Sequence, residues 1–242
     1  MKIIFLDTRG YIDVRTKKHY RHTSTLICYK GKKVMIDCGL DWLDKLGQIK
    51  PDAILLTHAH PDHAWGLQNG APCPVYATRA SWRVKELKKF PISQKKTIRD
   101  RKKIVICGIT FEAFNEVHSL LCPAVGYRIT AGKVSIYYAG DLISIDQRHP
   151  ALKDTQLYIG DGATIVRPMV RRKGEKIFGH TTIRAQLGWC KKEAIARAII
   201  THCGIQIVTD KSGKAEAKIM ELAKENDVNV TIAYDGMKII LK

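Results

Sequence analysis

Residues 58–63 read His-Ala-His-Pro-Asp-His and place four possible metal ligands within six positions. The apolar run Ala53-Ile54-Leu55-Leu56 just ahead of them is typical of a buried strand that ends where the polar residues begin. Pro61 keeps the stretch from continuing as a regular ladder or helix. Imidazole nitrogens and a carboxylate suit a divalent metal of the zinc type, so the sequence predicts a strand that feeds a tight ligand loop.

Three further residues repeat this pattern of an apolar strand followed by one metal-ligating side chain. His118 follows the run 111–117, Asp141 follows 134–140, and His202 follows 198–201. A binuclear site needs about six or seven protein ligands gathered from several strand ends. Together with the 58–63 stretch, these residues predict such a site.

Length and composition indicate a single globular domain over residues 1–242. The chain has 242 residues, 45% of them hydrophobic, and no obvious linker. No apolar stretch is long enough to cross a membrane. The apolar start, residues 1–6, is too short for a signal peptide, so we expect a cytoplasmic protein with no membrane partner.

The net charge is strongly positive. Forty-one lysines and arginines stand against 23 acidic residues, which gives +18. The densest run, residues 79–103, holds 11 basic residues, and a second cluster contains Arg167, Arg171, Arg172, Lys173 and Lys176. This excess favours a polyanionic partner, with nucleic acid first, and a solvated basic face is the alternative, because charge gives attraction but not identity.

Seven cysteines occur without any Cys-x-x-Cys pair. Their odd number, and the apolar runs around several of them, favour buried free thiols in a reducing compartment.

Strand-like and helix-like segments alternate along the chain, which predicts two packed sheets with helices outside. The predicted helices are 79–89, 181–196 and 214–226, the second capped by Thr181 or Thr182. The predicted strands are 2–6, 25–29, 33–37, 53–56, 104–107, 109–114, 125–130, 133–139, 156–160, 197–201, 229–233 and 237–241.

The motifs resemble those of the metallo-β-lactamase superfamily over nearly the whole chain. That superfamily's five motifs occur in order, as Asp37 in Ile-Asp-Cys-Gly, the 58–63 stretch, His118, Asp141 in Ala-Gly-Asp, and His202 in Thr-His-Cys-Gly. The resemblance implies an α/β protein with a four-layer αβ/βα sandwich, and metals at the edge between its two sheets.

The resemblance also implies which side chains hold two divalent ions, zinc first, with manganese or iron as alternatives. The implied ligands are His58, His60 and His118 for the first metal, Asp62, His63 and His202 for the second, and Asp141 between them. The two ions would share a hydroxide and lower its pKa, so that it attacks near neutral pH. Asp37 is expected to orient the ligand loop, and Asp62 to manage the proton of the nucleophile as a catalytic residue.

Two local features indicate the phosphodiesterase branch of the superfamily. Gly179-His180-Thr181-Thr182 resembles the His-Ser-Thr motif of the tRNA 3′-processing endonucleases (RNase Z) and related phosphodiesterases. There the histidine meets the scissile phosphate and helps the leaving oxygen depart. The expected helix start would add positive potential beside His180. A helix-capping surface role for His180 is the alternative.

The second feature is Gly160-Asp161-Gly162-Ala163-Thr164, where those nucleases carry His-Glu-Ala-Thr. The nuclease glutamate supports the catalytic histidine, and Asp161 is a shifted substitute that would keep His180 charged. The missing glutamate, and the lack of a Gly/Pro-rich inserted arm, leave the tRNA-processing role open.

The expected function is a binuclear metal-dependent phosphodiesterase that acts on nucleic acid or nucleotide-like diesters. Its partner would be a phosphodiester, RNA or DNA included, and relatives of this type often form homodimers. The same fold also hosts thioester, lactone and β-lactam hydrolases and iron-dependent oxidoreductases. A catalytically inactive nucleic-acid-binding module is a further alternative. The sequence does not decide between DNA and RNA as the substrate, or between endo- and exonucleolytic action. It also does not identify the native metal.

Overall fold

The computed structural model describes residues 1–242, which form two large β-sheets, one small hairpin and surrounding helices. The strands are β1 (Lys2–Asp7), β2 (Ser24–Tyr29), β3 (Lys32–Ile36), β4 (Ala53–Leu55), β5 (Val75–Thr78), β6 (Lys95–Ile98), β7 (Lys103–Ile106), β8 (Ile109–Val117), β9 (Ala124–Ala131), β10 (Val134–Tyr138), β11 (Ser144–Ile145), β12 (Leu157–Asp161), β13 (Met169–Lys173), β14 (Lys176–His180), β15 (Arg197–Thr201), β16 (Asn229–Ile232) and β17 (Lys238–Ile240).

Eight α-helices connect and cover these strands. They are α1 (Leu46–Ile49), α2 (Pro61–Ala64), α3 (Arg79–Trp82), α4 (Lys85–Lys89), α5 (Arg148–Leu152), α6 (Ile183–Lys192), α7 (Ile205–Val208) and α8 (Lys214–Glu225), with 3₁₀ turns at Leu40–Trp42 and Trp65–Leu67. None of them combines the length and the apolar character that crossing a membrane requires.

Each large sheet begins with antiparallel strands and continues into parallel ones. The first has the order β17-β1-β2-β3-β4-β5-β6, in which β3 to β6 are parallel. The second has the order β11-β8-β9-β10-β12-β15-β16, in which β10, β12, β15 and β16 are parallel and β7 pairs with β8. Parallel strands gather their carboxyl ends at one edge, which is where ligands bind in sheets of this kind.

The two sheets bury a shared apolar core between them. Phe5 and Ile36 from the first sheet and Phe111 and Ile159 from the second are fully buried there. A second apolar cluster lies between the second sheet and helices α6 and α8, and a third covers the outer face of the first sheet. The four layers confirm the predicted αβ/βα sandwich.

The predicted elements differ from the structure in two ways. The helix predicted over 79–89 is wrong as one unit, because Val84 takes an extended backbone (φ −60°, ψ 129°) and separates α3 from α4. Five strands, β5, β6, β11, β13 and β14, were not predicted. Strand β6 (Lys-Lys-Thr-Ile) is an edge strand with three exposed residues, so it lacks the apolar signal of a buried strand.

Candidate active site

The predicted metal ligands converge at one edge of the sandwich, each just beyond a strand. The 58–63 stretch follows β4, His118 follows β8, Asp141 follows β10 and His202 follows β15. Candidate ligands from His58 to His202 thus reach one place, because the strand order of both sheets brings these strand ends together.

The ligand loop after β4 differs from the sequence expectation in one detail. Pro61 does not exclude a helix but begins one, the single turn α2, with Asp62 and His63 inside it. Proline is well tolerated at the first helical position, because that residue needs no intrahelical N–H. The turn places both side chains in the buried interior of the site.

Three imidazoles meet in the first group of donor atoms. His58 Nε2 lies 3.0 Å and His118 Nε2 lies 3.1 Å from His60 Nδ1. The other nitrogen of His118, Nδ1, lies 3.0 Å from the carbonyl oxygen of Gly179 and donates to it. A neutral imidazole carries one N–H, so His118 Nε2 keeps a lone pair that faces the group. This donor set fits a cation of the zinc type.

The second group of donor atoms comes from the imidazoles of His63 and His202 and the carboxylates of Asp62 and Asp141. His63 Nδ1 lies 2.8 Å from Asp37 Oδ2, and His202 Nδ1 lies 3.1 Å from Asp161 Oδ1, so both Nδ1 atoms donate to carboxylates. Their Nε2 atoms each lie 3.2 Å from Asp62 Oδ2. Burial lowers the pKa of both His63 and His202, but the surrounding carboxylates outweigh it and raise the pKa of each ring above the usual histidine value. A bound cation would displace the Nε2 protons, and neutral rings with these tautomers would then offer it their Nε2 lone pairs.

Asp141 lies between the two groups. Its Oδ1 is 3.3 Å from His63 Nε2, whereas its Oδ2 is 3.7 Å from His118 Nε2 and 3.9 Å from His58 Nε2. His63 Nε2 and Asp141 Oδ1 are buried without a hydrogen-bond partner, as expected of atoms that face a metal. The loop of Asp141 is fixed by Glu116, whose Oε2 accepts from Gly140 N at 2.9 Å.

Asp37 lies behind the ligand loop. Its carboxylate accepts from Thr57 N and Thr57 Oγ1, both at 2.7 Å, as well as from His63. These contacts use its oxygens to hold the loop, which agrees with the orienting role expected from the sequence.

His180 lies beside the cluster, but not at a helix start. It is the last residue of β14, and helix α6 begins at Ile183, with Thr182 Oγ1 as the cap that accepts from Ala185 N at 3.0 Å. The predicted cap is therefore confirmed, and Thr181 and Thr182 separate His180 from the first helical residue. Its Nδ1 instead donates to Asp161 Oδ2 at 2.7 Å.

Asp161 contacts both His180 and the predicted ligand His202. Burial alone would raise the pKa of Asp161, but the charges and hydrogen bonds of the two imidazoles lower it to about 2. Burial lowers the pKa of His180, and the carboxylate of Asp161 outweighs that effect and raises it above the usual histidine value. Burial also holds the pKa of His58 well below its usual value, which keeps this imidazole neutral and available to a metal.

A third set of donor atoms overlaps the other two. One atom from each of Asp141, Asp161, His180 and His202 lies within 4.8 Å of the others, which is also close enough to hold a cation. Both oxygens of Asp161 already accept an imidazole N–H. This use of its oxygens favours a supporting role for Asp161 over a ligand role.

The cluster opens into a cavity of about 290 Å³ whose rim is partly apolar. Tyr11, Met169 and Ile205 line it and are 67%, 53% and 46% exposed. Sequence reasoning missed these residues and also Glu116. Single apolar residues in loops carry no periodic signal, and nothing in the sequence marks them as neighbours of the site.

Residues 32–203 match the family model described as the beta-lactamase superfamily domain. The chain therefore belongs to the beta-lactamase superfamily, within which its fold and histidine-aspartate cluster are of the metallo-β-lactamase type. A search of curated protein sequences gave no match.

Solved structures share the fold over almost their whole length. The metallo-β-lactamase fold protein YhfI from Bacillus subtilis is 18% identical, with a TM-score of 0.76 and 98% of each chain covered. A diphosphatase of the PhnP family is 20% identical, with a TM-score of 0.72 and coverage of 100% of this chain and 98% of that one. Human tRNase Z, short form, is 18% identical, with a TM-score of 0.67 and 100% of each chain covered. At these identities the likeness shows the fold.

Proposed function

We propose that this protein is a binuclear metal-dependent hydrolase that cleaves phosphodiesters of nucleic acid or of nucleotide-like molecules. The observation that carries the proposal is the pair of His180 and Asp161, 2.7 Å apart, of which His180 lines the same cavity as several of the proposed metal ligands. An imidazole that a carboxylate keeps charged suits a negatively charged substrate, because it stabilises phosphoryl oxygens as well as donating a proton.

The proposed ligands divide as the two donor groups do. His58, His60 and His118 would hold one ion, Asp62, His63 and His202 the other, with one oxygen of Asp141 towards each. Zinc suits this set of nitrogens and carboxylate oxygens best. When bound, two such ions supply Lewis acidity and lower the pKa of a coordinated water.

His180 is proposed to act on the leaving group. Its Nδ1 proton is fixed by Asp161, which orients the ring and leaves Nε2 for the cavity. A charged imidazole there stabilises the negative phosphoryl oxygens and donates a proton to the departing oxygen. Asp62, beside His63 and His202, is proposed to accept the proton of the attacking water as well as to bind metal.

Three further observations support a phosphate ester as the substrate. Two relatives of the same fold are named as a diphosphatase and as a tRNase Z. The net charge of +18 attracts polyanions. The rim residues Tyr11, Met169 and Ile205 offer an apolar surface for a ring such as a nucleobase next to the scissile phosphate.

The test is a substrate panel with the zinc-loaded protein. Hydrolysis of bis(p-nitrophenyl) phosphate should far exceed that of a thioester, a lactone and a β-lactam under the same conditions. Preferred cleavage of any of the three, with no diester hydrolysis, would contradict the proposal. Metal analysis of protein purified without added metal tests the oxidoreductase alternative, for which iron would be the metal recovered.

A further inference from the structure

The hairpin of β13 and β14 stands apart from both large sheets and is anchored in the candidate site. At the base of the hairpin Met169 pairs with His180, and both residues line the cavity. The next residue, Gly179, donates from its N–H to the carbonyl of His118 at 2.7 Å and accepts from His118 Nδ1 at 3.0 Å. The hairpin therefore has a fixed position relative to a proposed ligand and to the proposed acid.

The register of the hairpin defines which side chains share a face with the site. In an antiparallel pair, opposite residues point to the same side and successive residues alternate. The pairs on the face of the cavity are Met169 with His180, Arg171 with Phe178, and Lys173 with Lys176. Arg172, which pairs with Ile177, lies on the opposite face.

The face towards the cavity is basic and unpaired. Arg171, Lys173 and Lys176 are exposed, and none of them takes part in the ion pairs of the protein. The only acid in the hairpin is Glu175, in the turn after Gly174. Three cations without internal partners remain free to bind an external anion.

The spacing of these cations suits a chain of phosphates. Alternate residues of a strand are roughly 7 Å apart, so Arg171 lies one such interval outwards from the Met169–His180 pair, and the opposed Lys173 and Lys176 lie two intervals outwards. This interval is close to the backbone repeat of an extended nucleic acid strand. Phe178 lies opposite Arg171 on the same face. Aromatic rings interleaved with cations are typical of surfaces that bind single strands, since an unpaired base stacks on the ring.

We propose that the β13–β14 hairpin is a polynucleotide-binding arm. Arg171 binds the phosphate next to the one held at His180 in single-stranded RNA or DNA, and Lys173 and Lys176, side by side, bind the phosphates beyond it. The arm thereby favours a polynucleotide over a small diester. This inference rests on the proposed function for the bond that is cut, but strand binding itself does not depend on it.

The test compares three variants of the full chain. The arm variant combines Arg171→Gln, Lys173→Gln and Lys176→Gln. A single Arg172→Gln variant removes a charge from the opposite face of the same hairpin. A third variant combines Lys50→Gln, Lys133→Gln and Lys153→Gln, which removes three exposed charges that precede β4, β10 and β12, at the ends of these strands opposite the site.

Binding is measured by fluorescence anisotropy with a labelled single strand of about 12 nucleotides, a length that one binding module can cover. The arm variant should bind roughly tenfold or more weakly than the parent, and its slope of log affinity against log salt should be shallower by about 2, since each phosphate contact contributes about 0.7. The Arg172→Gln variant and the distant triple variant should bind like the parent. The proposal is overturned if the distant triple variant loses as much affinity for the strand as the arm variant does. It is also overturned if the arm variant binds the strand as tightly as the parent.

A second measurement separates this inference from the proposed function. The ratio of kcat/KM for the strand to kcat/KM for bis(p-nitrophenyl) phosphate should fall in the arm variant, with the same thermal unfolding midpoint as the parent. A parent that cleaves no diester refutes the proposed function, and the anisotropy data then still decide the arm. A parent that cleaves the small diester, together with an arm variant of unchanged ratio and binding, refutes the arm alone.

Discussion

Asp161 Oδ2 lies 2.7 Å from His180 Nδ1, and the other oxygen of the same carboxylate lies 3.1 Å from His202 Nδ1. One buried carboxylate thus orients both the proposed proton donor and a proposed metal ligand. The proposed leaving-group side of the site and its metal side are therefore held by a common support at the end of β12.

Replacing His180 with alanine should reduce the kcat for bis(p-nitrophenyl) phosphate by on the order of 10²–10⁴, the usual contribution of a positioned acid or base. Bound metal, measured by elemental analysis, should stay at the parental level. His149→Ala is the control, because that exposed ring pairs with Glu193 away from the cavity. Loss of metal from His180→Ala would mean that His180 is a ligand, which the third donor set allows.

Asp161→Asn should affect both sides of the site. The amide cannot supply the negative charge that orients the two imidazoles, so kcat should fall and metal affinity should weaken by about 10–100-fold, as for other residues that support ligands. A competition titration with a chelating dye measures the affinity. Unchanged metal affinity, with only kcat reduced, would show that the contact with His202 is not functional.

Asp141→Ala should remove at least one metal ion per chain, because its two oxygens face different donor groups. Elemental analysis after dialysis against metal-free buffer measures the occupancy. Asp146→Ala is a matched control in the turn after β11, since Asp146 is exposed. Full occupancy in Asp141→Ala would contradict its position between the ions.

Gly39→Ala should destabilise the protein by about 1–3 kcal/mol, the usual cost of overpacking a close contact. A methyl group at Gly39 would lie 2.1 Å from the carbonyl oxygen of Asp62, so the ligand turn has to shift. Gly47→Ala is the control, because nothing lies within 4 Å of the added methyl in helix α1. Urea unfolding measures both variants, and a Gly39→Ala protein as stable as Gly47→Ala would show that the turn moves freely.

Asp7, which lies away from the metal site, should make the free energy of unfolding depend on pH. Burial, followed by the neighbouring charge of Asp235, raises the pKa of Asp7 to about 8, against about 3.9 in the unfolded chain. Between these values the folded protein keeps a proton that the unfolded chain has lost, so the free energy of unfolding falls as pH rises from about 4 to about 8.

Asp7→Asn stays neutral and removes this contribution. The free energy of unfolding of Asp7→Asn minus that of the parent should therefore be larger near pH 8 than near pH 5, by on the order of 1 kcal/mol or more. Urea unfolding at fixed metal loading measures the difference. The same gain at both pH values would show that Asp7 is ionised in the folded protein.

The convergence of the candidate ligands could be predicted because each group of them follows a strand-like run and the motifs occur in a known order. The support from Asp161 to His202 could not be derived from periodicity. It arises because β12 and β15 are parallel neighbours, with Asp161 opposite Thr201, and local patterns do not define the order of strands in a sheet.

The hairpin was missed for a different reason. All five residues of β13 are exposed, so no alternation of buried and exposed positions marks it as a strand. Its sequence, Met-Val-Arg-Arg-Lys, appeared only as a basic cluster. Its place beside the site depends on the contact of Gly179 with His118, across 61 residues of chain.

The most direct test of a binuclear phosphodiesterase is a titration of the metal-free protein with zinc, followed by both bound metal and hydrolysis of bis(p-nitrophenyl) phosphate. The two donor groups predict that activity rises with zinc and levels off at two ions per chain. Full diesterase activity in the metal-free protein would contradict the binuclear phosphodiesterase. So would a protein loaded with two zinc ions that cleaves no diester.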